Sequence, residues 1–307
     1  MAVIFLVVGH YSAFCLEGSQ PSENMAEVAV VIFLFLSGAG LTKSYGLNKI
    51  QITYWINRLK KIMIPLWTTL ILFYLLDFFL LQKRYGVTEM LPKFIGIIGK
   101  SPPNGSAWFV SYIMYLYIVF YAISYVEVRL PYKVILIFLL CYLTNKVISW
   151  VPTLDSLFNG WSTYTYVFPC SILITLNKNR LVKLLKKLDR ASRALIILAL
   201  IGIFLTYLSV DRFKTACLIV LISTADYLIS SSRLKFNVLK WIGAYSYEIY
   251  LLHLPFMVSY SFLGQGLPQT LRRILYIILI TTMSVIIKRM SITLSDYVFP
   301  ELTTGKA

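Results

Sequence analysis

I-M-I-P-L-W-T-T-L-I-L-F-Y-L-L-D-F-F-L-L, residues 62–81, is the run whose reading decides the fold. A helix rises 1.5 Å per residue, so a run of this length crosses the ~30 Å hydrocarbon core of a bilayer. Inside lipid each backbone N–H and C=O must be paired within the protein, and a helix does this within one segment. Comparable runs recur at roughly 1–15, 26–42, 107–126, 131–149, 160–176, 194–210, 215–231, 242–262 and 273–291. The pattern predicts an all-α polytopic membrane protein of about ten transmembrane helices, forming a single domain over 1–307. Nothing before the first run resembles a cleaved signal peptide, so that run is expected to remain as a helix.

Composition points the same way. The chain is 58% hydrophobic and 14% charged, with a mean hydropathy of +0.74. A soluble domain is nearer half apolar and a quarter charged. The net charge of +16 would suggest nucleic-acid binding in a soluble protein. Here the basic residues gather in short loops, so the charge reads as topology and attraction to anionic headgroups, with no nucleic-acid partner. With the N-terminus inside, the inner loops and the C-terminal end carry 20 of the 29 Lys and Arg. Lys and Arg resist translocation, so both termini are predicted to be cytoplasmic. The four cysteines form no C-x-x-C pair and read as small packing residues.

Two loops are more than connectors. Residues 177–193 place Leu181, Leu184, Leu185 and Leu188 at helical spacing with lysines opposite, the pattern of a helix lying in the inner headgroup layer. Residues 82–106, ending S-P-P-N-G-S, form the longest outer loop and a candidate cover for an outward-facing cavity.

The polar residues inside the apolar runs carry the chemistry. The only histidines, His10 and His253, both fall in predicted spans. A titratable group at that depth is costly and generally faces a polar cavity or a partner. Neutral imidazole is tolerable there and is the natural proton acceptor near neutral pH. A single such His also occurs as a packed, helix-bridging residue. Two of them in polar settings, His10-Tyr11-Ser12 and Tyr247-Glu248-Ile249-Tyr250, favour function. No third His, acidic cluster or ligand spacing suggests a metal. In the ninth run, Ser246, Tyr250 and His253 share a stripe while Glu248 lies nearly opposite. Pro255 cannot donate to the carbonyl of Leu251, which leaves an acceptor free beside His253. In Y-W-I-N-R-L-K-K-I-M-I-P-L-W, residues 54–67, Arg58 and Lys61 are three apart and project from one side of a helix end. Such a pair can clamp phosphates, and it also fits ordinary inner-loop charge.

Five stretches together resemble the acyltransferase 3 family of integral-membrane enzymes that acylate surface sugars. V-I-F-L-V-V-G-H-Y (3–11) resembles its first helix and histidine, and V-V-I-F-L-F-L-S-G (30–38) its F-x-L-S-G helix. R-L-K-K-I-M-I-P (58–65) resembles the basic run before proline, and A-W-F-V-S-Y-I-M-Y-L-Y (107–117) the W-F-x segment. S-Y-E-I-Y-L-L-H-L-P (246–255) resembles the late Y-L-x-H-x-P signature. The chain departs in three ways. The family's Arg about ten residues before the first His is absent, so either the start lies upstream of Met1 or this member lacks that anchor, and a first helix of about 15 residues favours the former. Lys61 stands where the basic run has its second Arg, keeping charge but losing the two-pronged fork. No soluble esterase-like domain follows the last run.

The resemblance implies transfer of acetyl, or a short relative such as succinyl, from acetyl-CoA to a carbohydrate hydroxyl at the cytoplasmic membrane. It implies His10 as general base or acyl-imidazole nucleophile, and Arg58 and Lys61 at a rim for the CoA phosphates. His253, Ser246 and Tyr250 would position a substrate or stabilise the oxyanion, and Glu248 is a further candidate. A transporter or flippase for lipid-linked sugars would also use many spans, intramembrane polar residues and a Pro-broken helix. No inverted repeat supports it.

Overall fold

The structure, a computed structural model, describes residues 2–15, 23–97, 104–187 and 237–300. In chain order the helices are α1 (Ala2–Cys15), α2 (Glu23–Tyr45), α3 (Thr53–Arg58), α4 (Ile64–Leu80), α5 (Val87–Phe94), α6 (Trp108–Ser124) and α7 (Leu130–Trp150). They continue with α8 (Pro152–Phe158), α9 (Val167–Leu176), α10 (Lys178–Lys187), α11 (Asn237–Ala244), α12 (Ser246–Val258) and α13 (Gln269–Val298). No strand occurs among the described residues. Among the described residues, four stretches are long and apolar enough to cross a membrane: Met25–Tyr45, Thr53–Leu80, Leu130–Trp150 and Gln269–Val298. Ala2–Tyr11 and Trp108–Ser124 are shorter apolar helices. The expected spans at 194–210 and 215–231, and the end of the basic segment beyond 187, lie outside the described residues. The all-α membrane class therefore holds on these helices.

The chain divides into two compact units. One comprises Ala2–Ile50 and Tyr112–Asn237, and the other Gln51–Ser111 with Val238–Ala307.

In the first, α1 packs on α2 through Ala2, Val3, Leu6 and Gly9, one buried stripe at helical spacing. The seam between α2 and α9 depends on small residues, because apolar helices in lipid associate by close packing rather than by escaping water. A Cβ on Gly38 would lie 2.1 Å from Ser171 Oγ and 2.9 Å from the Phe168 carbonyl oxygen. Ser37 adjoins it and shares a 2.6 Å hydrogen bond with the Tyr117 hydroxyl. The F-x-L-S-G stretch thus ends in one residue that pairs and one that must be absent as a side chain. Cys141 is buried and Cys170 half-buried, both as free thiols.

In the second unit, α4 packs against α12 and α13. Phe73 stacks with Tyr260 and meets Phe256 edge-on, with centroids 5.8 and 5.7 Å apart. Asp77 is buried at the far end of α4 and accepts from the hydroxyls of Tyr260, at 2.5 Å, and Tyr85. Burial pushes the Tyr85 phenol up, and its bond to Asp77 pushes it further. Trp67 Nε1 donates to the Phe94 carbonyl at 2.6 Å, and Ser111 donates to the Gly96 carbonyl at 2.6 Å. Tyr85, Phe94 and Gly96 thus tie the described part of the segment after α4 to this unit.

Candidate active site

The sequence expects the basic run before Pro65 to be a regular helix end. Instead Leu59–Met63 forms a π turn between α3 and α4, in which the Ile64 N–H bonds the Leu59 carbonyl. Pro65 has no N–H for the Lys61 carbonyl, and its ring crowds that carbonyl; a widened turn just before it eases both problems. The widening separates residues that a regular helix would hold on one side. Arg58 lies over the Tyr54 ring, 5.3 Å from its centroid. Lys60 and Lys61 both line a cavity of about 440 Å³. Arg58 is not among the residues lining it.

The ninth run also differs from expectation. It is not one helix over 242–262: the backbone breaks at Tyr245 (φ −108°, ψ 8°), where α11 ends and α12 begins, and α12 stops at Val258. Ser246 Oγ donates to the Gly243 carbonyl at 2.8 Å, satisfying an acceptor that the end of α11 leaves unpaired. The break places Ser246 at a helix start, where it lines the cavity together with Glu248. Tyr247 Oη donates to the Ile62 carbonyl at 3.0 Å and fastens α12 to the π turn.

Glu248 is buried, and its partner comes from α13. Lys288 Nζ stands 3.5 Å from Glu248 Oε1, donates to the Ala244 carbonyl, and lies 5.0 Å from the Tyr245 ring centroid. Glu248 Oε2 has no hydrogen-bond partner among the described residues. Lys288, Ser291 and Asp296 bring α13 to the same cavity.

Deeper along α12, His253 is fully buried. Its Nδ1 is 2.7 Å from the Tyr250 carbonyl oxygen. A carbonyl only accepts, so Nδ1 carries the proton and Nε2 bears the lone pair of the neutral ring. Tyr250 is buried between the rings of Phe109, 5.7 Å away, and His253, 6.0 Å away. The carbonyl freed by Pro255 is not left exposed: Asn104 Nδ2 donates to the Leu251 oxygen at 2.6 Å. His10 belongs to the other unit, half-buried on α1.

Of the residues expected from the sequence, Lys61, Ser246 and Glu248 come together at the cavity. Tyr250 and His253 form a buried step further along the same helix. Asn104, Lys60 and Lys288 were not anticipated. The only sequence signal for Lys288 was a cation at the end of an apolar run. Asn104 carried none beyond its place in S-P-P-N-G-S.

No curated protein and no solved structure matches the chain. The model of an acyltransferase domain family matches residues 1–289, nearly the whole length. Together with the apolar helices, that match makes the chain a member of the acyltransferase 3 family, a membrane acyltransferase.

Proposed function

We propose that this membrane acyltransferase moves an acetyl or similar short acyl group from acyl-CoA to a hydroxyl of a cell-surface or exopolysaccharide sugar. The observation that carries the reading is the arrangement along α12. Its start opens into a cavity with three lysines, and its interior buries His253. From Glu248 to His253 is five residues, about 7.5 Å at 1.5 Å per residue. A donor with phosphates on Lys61 and Lys60 could extend its thioester arm in that direction, with Arg58 held behind on Tyr54.

The reaction then proceeds as follows. An acceptor hydroxyl attacks the thioester carbonyl carbon while His10 takes its proton. The tetrahedral oxyanion collapses, the C–S bond breaks, and the imidazolium returns the proton to the departing sulfur. In the variant with an acyl-imidazole, His10 attacks the thioester carbonyl first, the C–S bond breaks and the thiolate leaves; the hydroxyl then displaces the imidazole, and its proton passes to the thiolate. His253 with Nδ1–H engaged is an acceptor at Nε2, so in its neutral form it suits orienting a hydroxyl better than stabilising an oxyanion. Ser246 and Tyr250 serve as positioning residues. The reading places the protein in the cytoplasmic membrane with both termini inside, in line with the distribution of Lys and Arg.

Membranes carrying the protein, given radiolabelled acetyl-CoA and glycan acceptors, test this. Transfer is expected, falling about 10²–10⁴-fold in His10→Ala. Undiminished transfer in that variant would remove His10 as base. Absence of transfer to any acceptor, with lipid-linked sugar still translocated, would replace the enzyme reading with a flippase.

A further inference from the structure

The segment after α4 reads in sequence as an outer loop, yet its contacts run back along α4. Gln82, with φ 54°, takes the chain out of the α4 axis. Tyr85 then donates to Asp77, Trp67 Nε1 donates to the Phe94 carbonyl at 2.6 Å, and a Cβ on Gly96 would lie 3.6 Å from Met63 Cε. From Asp77 to Trp67 is ten residues of helix, about 15 Å at 1.5 Å per residue. α5 therefore lies beside the membrane-crossing stretch Thr53–Leu80 and descends toward its middle.

The polarity of α5 is inverted for a helix in water. Val87, Leu91 and Ile95 repeat every four residues and are 75%, 59% and 64% exposed. Lys93, on nearly the opposite face, is 7% exposed, with Nζ 5.7 Å from the Tyr85 ring centroid. Scattered apolar residues are ordinary on a wet surface, but an exposed apolar stripe with a cation packed inward is not. The stripe continues the exposed face of α4, where Ile71, Leu75, Phe78 and Phe79 are open while Phe73 and Asp77 are buried. Between the two stripes Lys83 and Arg84 are exposed, and the Arg84 guanidinium lies over the Phe78 ring, 5.8 Å from its centroid. An arginine folded back on an aromatic at the end of a membrane helix keeps its stem in the apolar layer and its charge at the headgroups.

We infer that α5 is a lipid-seated helix, with Val87, Leu91 and Ile95 against the acyl chains of bilayer phospholipid. The occupant is the bilayer because the stripe continues a membrane-crossing face, sits at its depth and begins just past two headgroup-level cations. Water in its place would leave three large apolar side chains unburied. The depth also has an order, since Val87 follows Tyr85 at the level of Asp77 and Ile95 adjoins Phe94 at the level of Trp67. The inference holds whatever the acyl donor or acceptor.

Fluorescence of full-length protein in nanodiscs tests this, with one tryptophan added and the emission of the six native ones subtracted. Leu91→Trp changes an exposed side chain, so the fold should tolerate it. Phosphatidylcholine brominated along its acyl chains should quench the added tryptophan about twofold, and aqueous iodide should leave it nearly unchanged. Bromines near the glycerol should act most on Val87→Trp, and bromines near mid-chain most on Ile95→Trp. Quenching of Leu91→Trp by iodide and not by brominated lipid would put the stripe in water and overturn the inference. Protection from both quenchers, in protein that runs as a dimer, would place a second copy on the stripe and overturn it equally. Equal depth at Val87 and Ile95 would overturn the descent along α4.

Discussion

A Cβ built on Gly38 would lie 2.1 Å from Ser171 Oγ and 2.9 Å from a backbone oxygen, whereas one built on Gly243 would meet nothing within 4 Å among the described residues. Both residues sit in helical backbone. At the α2–α9 seam, glycine lets two helices approach. At the cavity wall, it keeps neighbouring volume empty. In sequence the two are indistinguishable, since each is a glycine near the end of an apolar run. The difference teaches that a small residue in a membrane helix can serve a contact or a vacancy, and the neighbours alone decide which.

The contrast can be broken most severely at the seam. Gly38→Val should destabilise the protein by about 3 kcal/mol or more, since overpacking forces the backbone as well as side chains to move. Thermal melts in detergent would register it as a large loss. Gly38→Ala with Ser171→Ala should recover part of that loss, because the 2.1 Å contact is with the serine side chain. No recovery would mean that the Phe168 carbonyl alone sets the limit. Asn104→Ala comes next, at about 1–3 kcal/mol, because it strands the Leu251 carbonyl in a buried setting. Acyl transfer should fall with it if that bond shapes the helix around His253. A melt unchanged in Asn104→Ala would show the carbonyl has another partner. Smallest is Gly243→Ala, expected to raise stability by about 0.5–1 kcal/mol through helix propensity alone. A loss there would show the wall to be packed after all.

Parts of the site were legible in the residues themselves. Pro255 announced an unpaired carbonyl because proline has no N–H, and it needed no knowledge of the surroundings to do so. The polar stripe of Ser246, Tyr250 and His253 followed from helical periodicity, and it holds within α12 from Tyr250 to His253. Ser246 is the first residue of α12 and lines the cavity, whereas Tyr250 and His253 are buried further along the helix. Arg58 and Lys61 were paired by the same rule, which presumes a regular turn; the π turn before Pro65 removes that presumption.

From the sequence alone came the all-helical membrane class and the acceptor released by Pro255. Each depends on composition or on residues within a turn of one another. Tertiary structure decided that Asn104, 147 residues from Leu251, meets that acceptor, and that Lys288 on α13 meets Glu248 on α12. It also decided that Gly38 is a contact and Gly243 a vacancy. Such pairings depend on which helix faces become neighbours, and a periodicity of a few residues holds no information about partners so far along the chain.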